Sequence, residues 1–145
     1  MAYEEEVASI VASIWQSMLN LDALPTDHPF EVPMNECLSG SISITGDWKG
    51  SFLLKMPKSL AQKSAEVMFA SEPGSNSEEE VRDALGELTN MVGGSFKSMM
   101  EGNCQLSLPS IIEGSVFRPG TEEVCRRTFE TEGLPFEVTV FQGSK

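Results

Sequence analysis

The segment from Ser77 to Met100 constrains the fold more than any other, because its pattern fits only an amphipathic helix. Ser77-Glu78-Glu79-Glu80 has the form of a capping box: a serine that accepts from the backbone N–H three residues on, and a glutamate there that reaches back. Acidic residues in the first turn also suit the positive end of the helix dipole. Val81, Leu85, Leu88, Val92, Phe96 and Met99 then recur at helical spacing and predict one buried stripe. The helix is expected to reach about Met100, with Gly102 closing it. Gly93-Gly94 in its middle is costly, about 1 kcal/mol per glycine against alanine. Either the helix bends there or something approaches its backbone closely.

Around this helix the other elements fall into order. A first helix is predicted from about Glu5 to Leu21, with Val7, Ile10, Val11, Ile14, Met18 and Leu21 as its apolar stripe. Leu24 to Pro33, with its three prolines, is a connecting loop. Leu38 to Thr45 and Trp48 to Met56 alternate in hydrophobicity about a Gly46-Asp47 turn and predict an antiparallel hairpin. A second helix is expected over roughly Lys58 to Ala70, with Leu60, Ser64, Ala65 and Met68 on one side. Downstream, Gln105 to Ile112 is strand-like but interrupted by Pro109, which demands an edge, a bulge or a strand end. Val124 to Thr131 and Leu134 to Gln142 predict a second hairpin about Glu132-Gly133. This order points to an α+β fold, an antiparallel sheet with helices packed against it. With no repeat or linker in the sequence, residues 1–145 are expected to form a single domain.

Charge and composition exclude several functions. A formal net charge of -12 opposes nucleic acid and anionic membrane as partners. No apolar run is long enough to span a bilayer. The start Met1-Ala2-Tyr3-Glu4-Glu5-Glu6 opposes a basic secretory leader, which points to the cytoplasm. Cys37, Cys104 and Cys125 have no metal-type spacing and are expected to be reduced, buried thiols. His28 is the one histidine, set in a proline-flanked loop. No metal site or histidine-based triad is expected, and no HExxH, GxGxxG or P-loop pattern occurs.

Chemistry therefore has to come from elsewhere. On the third helix Asp83, Glu87, Asn90 and Gly94 fall opposite the apolar stripe, with Lys97 nearby and Gly86 and Gly93 flanking the row. Periodicity alone reads this as an ordinary solvated face. Yet Asn and Gly are poor helix formers, so helix stability did not select them.

Asp83-Ala-Leu-Gly-Glu87-Leu-Thr-Asn90 resembles the D/S-xxx-E-xx-N signature of the CheC/CheX/FliY phosphatases of bacterial chemotaxis. Met91-Val-Gly93-Gly94 after it and the downstream Leu106-Ser-Leu-Pro109 extend the likeness. In that family a proline often stands 23 positions after the asparagine; Glu113 holds that place here, and Pro109 comes earlier. CheC-type members carry two such motifs, whereas this chain has one, the CheX-like arrangement.

The resemblance implies a CheX-like domain that hydrolyses the aspartyl-phosphate of a CheY-like response regulator. In that role Asn90 orients the attacking water, and Glu87 pairs with a lysine of the regulator's active site. Asp83, Gly86, Gly93, Gly94 and Lys97 would form the surrounding docking face. The chain itself would bind no cofactor, Mg²⁺ being held by the regulator, and CheX-like relatives pair as homodimers. Two alternatives remain at this point: a non-catalytic docking module for a regulator or other signalling partner, and a structural part akin to flagellar switch proteins.

Overall fold

The computed structural model describes residues 3–114 and 121–143. Among these residues seven antiparallel strands form one sheet: β1 (Leu24–Thr26), β2 (Cys37–Gly46), β3 (Gly50–Pro57), β4 (Cys104–Leu106), β5 (Ser110–Glu113), β6 (Glu122–Thr131) and β7 (Leu134–Gln142). Their spatial order is β1-β6-β7-β3-β2-β4, and β5 continues along the same edge of β2 as β4. Both predicted hairpins form. β2 pairs with β3 from Cys37↔Pro57 to Ile44↔Gly50. The β6–β7 turn uses Glu132 and Gly133 at φ 51° and 76°, the positive values that a tight two-residue hairpin requires.

Among the described residues three α-helices, α1 (Glu4–Ile14), α2 (Lys58–Met68) and α3 (Glu78–Ser98), share one core with the sheet. Alternation along the strands supplies Ile42, Ile44, Phe52, Leu54, Met56, Phe136, Val138 and Val140 to that core. Phe96 of α3 sits amid the rings of Tyr3, Trp48 and Phe52, with centroids 5.2, 5.6 and 4.9 Å away. That cluster anchors the C-terminal half of α3, while the capping box, formed in both directions, fixes its start.

Several elements depart from the sequence reading. The first helix changes to a π-helical turn at Trp15–Leu19. The wider turn carries Trp15 and Leu19 into the core, whereas Met18 and Leu21 of the expected stripe are only half-buried. Trp15 stacks on Phe136 at 4.3 Å, which rewards the shift. The presumed loop after Leu24 contains β1, three residues paired with β6; Pro25 is tolerated because the strand lies at the sheet edge. Met99 lies beyond the end of α3 and is 39 % exposed. Its N–H bonds to Phe96 and that of Met100 to Lys97, so the chain tightens and leaves the stripe. All three cysteines are free thiols. Cys37 and Cys125 are buried, and burial pushes both thiols up from their ordinary range; Cys104 is only half-buried.

Candidate functional site

Helix α3 lies against β2 through two points of close approach. At Gly40 a side chain would place its Cβ only 2.0 Å from Thr89 Oγ1, so β2 has glycine where the helix crosses it. Thr89 is buried there and donates to the Leu85 carbonyl at 2.7 Å, which satisfies its hydroxyl inside the helix. One turn on, a Cβ at Gly93 would meet Ile42 Cγ2 at 2.6 Å. Close approach therefore explains the mid-helix glycine. Gly93 is buried against the sheet, which corrects its assignment to an outer docking face.

The opposite side of α3 opens onto a groove of about 470 Å³, lined by Arg82, Asp83, Gly86, Glu87, Asn90, Leu108, Pro109 and Ile111. Asp83, Glu87 and Asn90 are exposed, while Ala84, Leu85, Leu88 and Thr89 between them are buried. Gly86 is buried too: a Cβ there would stand 3.8 Å from Pro109 Cγ and 3.9 Å from Ile111 Cδ1. It forms floor rather than rim. Gly94 and Lys97 are half-buried and lie outside the groove lining.

The far wall is the segment between β4 and β5. Leu106 pairs with Ile44 and Ser110 with Ser41, so Ser107-Leu108-Pro109 stands against only two residues of β2 and must bulge. Ser107 exchanges backbone and side-chain hydrogen bonds with Ser43, both at 2.9 Å. The displaced Leu108 is left 88 % exposed. Sequence reasoning anticipated a break at Pro109 but did not place Arg82, Leu108, Pro109 or Ile111 at the site. The break was the available signal, since a bulge re-aims the side chain beside it.

The charge balance of the groove is negative. Arg82 is tied back, donating to the Ile111 carbonyl at 3.2 Å and lying 3.7 Å from the Glu78 carboxylate. Among the described residues no hydrogen bond or ion pair engages Asp83, Glu87 or the Asn90 carboxamide. An exposed carboxylate and carboxamide, one turn apart on a rigid helix, can pair with a cation and orient a water. Neither can serve as a base-activated nucleophile. Among the described residues no three His, Cys, Asp or Glu side chains converge as a metal site would require, and no helix is long and apolar enough to cross a membrane.

The model of a family described as chemotaxis phosphatase CheX matches residues 38–129, which includes the whole groove. No curated protein sequence matches the chain. Among solved structures, the chemotaxis protein CheX from Vibrio vulnificus is similar, with TM-score 0.76 at 20% identity, over 98% of this chain and 97% of that one. CheX from Desulfovibrio desulfuricans gives 0.73 at 23% identity, over 97% and 98%. A chain of the CheX–CheY–BeF3–Mg²⁺ complex from Borrelia burgdorferi gives 0.70 at 16% identity, over 99% and 98%. These likenesses show a shared fold. With the family match spanning well over half its length, the chain belongs to the CheX family of chemotaxis phosphatases.

Proposed function

We propose that this protein hydrolyses the aspartyl-phosphate of a CheY-like response regulator, using Glu87 and Asn90 as its working side chains. One observation carries the reading: these two residues are exposed, one turn apart, on a helix that is otherwise seated tightly on the sheet, and they line one groove. A relative with the same fold is known in complex with CheY, BeF3 and Mg²⁺, which supports a regulator as partner and Mg²⁺ as part of the assembled complex.

The reaction needs little from this chain. A water oxygen bonds to phosphorus as the bond from phosphorus to the aspartyl oxygen breaks. The carboxylate leaves as an anion, and a proton is released with inorganic phosphate. Asn90 accepts one hydrogen bond from the water through its carbonyl, or donates to it through its amide, and so holds it in line. Glu87 pairs with the regulator's active-site lysine and sets the register of docking. Asp83 and the Gly86 floor complete the receiving surface. The protein acts as a homodimer in the cytoplasm, with the groove left open.

The test is the decay of a phosphorylated response regulator from the same cell, followed with and without the protein. Accelerated release of inorganic phosphate is the expected result. Tight binding of the regulator without acceleration would instead assign the groove to docking alone.

A further inference from the structure

Leu108 is the most exposed large apolar side chain among the described residues, at 88 % against 65 % for Leu24 and 53 % for Met34. It is also held in place. The Ser107 N–H donates to the Ser43 carbonyl, the Ser43 N–H donates to Ser107 Oγ, and Ser107 Oγ donates to the Leu108 carbonyl at 3.0 Å. Pro109 fixes the backbone on the other side. A pinned bulge thus presents one leucine to solvent on the rim of the groove that contains Glu87 and Asn90.

We infer that Leu108 is an apolar anchor for the phosphorylated regulator, packing on an apolar patch that borders its phosphoryl site. This rests on the function proposed above. A body that enters the groove to receive Glu87 and Asn90 meets Leu108 as well, because all three line it. The groove's open ionic groups, Asp83 and Glu87, are negative, and Arg82 is already held by Ile111 and Glu78. The occupant therefore brings positive charge beside an apolar patch, and the Mg²⁺ in a relative's complex with CheY is a charge of that sign. The anchor contributes equally to the ground state and the transition state, so it acts on binding and not on the bond-breaking step.

The experiment titrates a Mg²⁺- and beryllofluoride-loaded response regulator against wild type, Leu108→Ser, Leu108→Met and Asn90→Ala, and measures kcat and KM on the phosphorylated regulator. Leu108→Ser is expected to raise Kd and KM about tenfold, the loss of one buried apolar contact. Saturating kcat stays unchanged, and Leu108→Met restores most of the affinity. An unchanged Kd in Leu108→Ser, with wild type binding and Asn90→Ala inactive, overturns the anchor alone. A Leu108→Ser variant that loses self-association while keeping its Kd for the regulator assigns the leucine to a dimer contact, and overturns it as well. No binding by wild type removes both the anchor and the phosphatase reading. Wild-type binding without turnover removes only the catalytic reading, and the Leu108→Ser Kd still decides the anchor.

Discussion

Helices α2 and α3 lie side by side on the same core, yet their polar faces are used in different ways. On α2 the charged and amide side chains Lys58, Gln62, Lys63 and Glu66 are engaged within the chain. Lys58 reaches Glu113 at 2.9 Å, Lys63 reaches Glu132 at 3.0 Å, and Gln62 donates to Glu66 at 3.1 Å. Glu66 also accepts from the Gly74 N–H at 2.9 Å, tying the helix to the loop before α3. On α3 the capping box and Arg82 are engaged likewise, but the row Asp83, Glu87, Asn90 has no such partners among the described residues. Periodicity cannot separate these two faces, since both are polar stripes opposite an apolar one. Intramolecular bonding separates them: one face is bonded within the chain, and the Asp83, Glu87, Asn90 row has no such bonds among the described residues.

The largest effect expected from this contrast is on rate. Asn90→Ala should reduce accelerated dephosphorylation by about 10² or more, the scale on which positioning of a reactant acts. Stability should hold or rise slightly, because alanine is the better helix former at an exposed site. Glu87→Ala should instead weaken regulator binding by roughly 2–5 kcal/mol, the range for truncating one partner of a desolvated charge pair. On α2, Gln62→Ala and Lys63→Ala should leave the rate unchanged and shift stability by no more than about 0.5 kcal/mol. Phosphate-release assays and chemical denaturation on the four variants check this. Equal rate losses from both helices would erase the distinction.

A second expectation concerns how α3 is seated. Gly40→Ala places a methyl 2.0 Å from Thr89 Oγ1 and should destabilise by about 1–3 kcal/mol, as overpacking does. Gly94→Ala meets only Leu106 Cδ2, at 3.8 Å, and should stabilise by up to about 1 kcal/mol through helix propensity. Urea denaturation of the two variants gives opposite signs if the helix is held close where it faces β2 and has room at Gly94. The same sign in both would contradict the close-approach account of the glycines.

These positions also show where sequence reading succeeds and where it stops. The capping box, the Val81/Leu85/Leu88/Val92/Phe96 stripe and both hairpins were legible because each is set by local spacing. The outward direction of Glu87 and Asn90 follows from the same geometry. Gly93 could be flagged as anomalous, but only the sheet reveals that Ile42 is what it accommodates. The π turn at Trp15–Leu19 answers to Phe136, far along the chain. β1 answers to β6 in the same way. Leu108 was hidden for a related reason: in a strand-like run a leucine reads as core. It becomes surface only because Ser107 to Pro109 oppose two residues of β2. What depends on register between distant strands is not written in either strand alone.

The smallest effect tests the bonded face of α2 directly, through pH. The Gly74 N–H, followed by the Gln62 amide, holds the Glu66 carboxyl below its ordinary value. A depressed folded-state pKa means that the unfolded chain binds the proton more readily. The stabilising contribution is therefore present above the ordinary carboxylate pKa and is lost as pH falls through the lower, folded value. Glu66→Gln should then be slightly less stable than wild type at neutral pH, and the difference should close in acid. NMR titration of the Glu66 carboxyl should give a midpoint below the ordinary glutamate range, moving back toward it in Gln62→Ala. Glu113 offers a parallel, since hydrogen bonding and charge from Lys58 hold its carboxyl low as well. A stability gap between wild type and Glu66→Gln that persists undiminished to low pH would mean the carboxylate's charge is not what joins α2 to the loop. The contrast with α3 would then rest on the Lys58–Glu113 and Lys63–Glu132 pairs rather than on the tie from Glu66 to the loop.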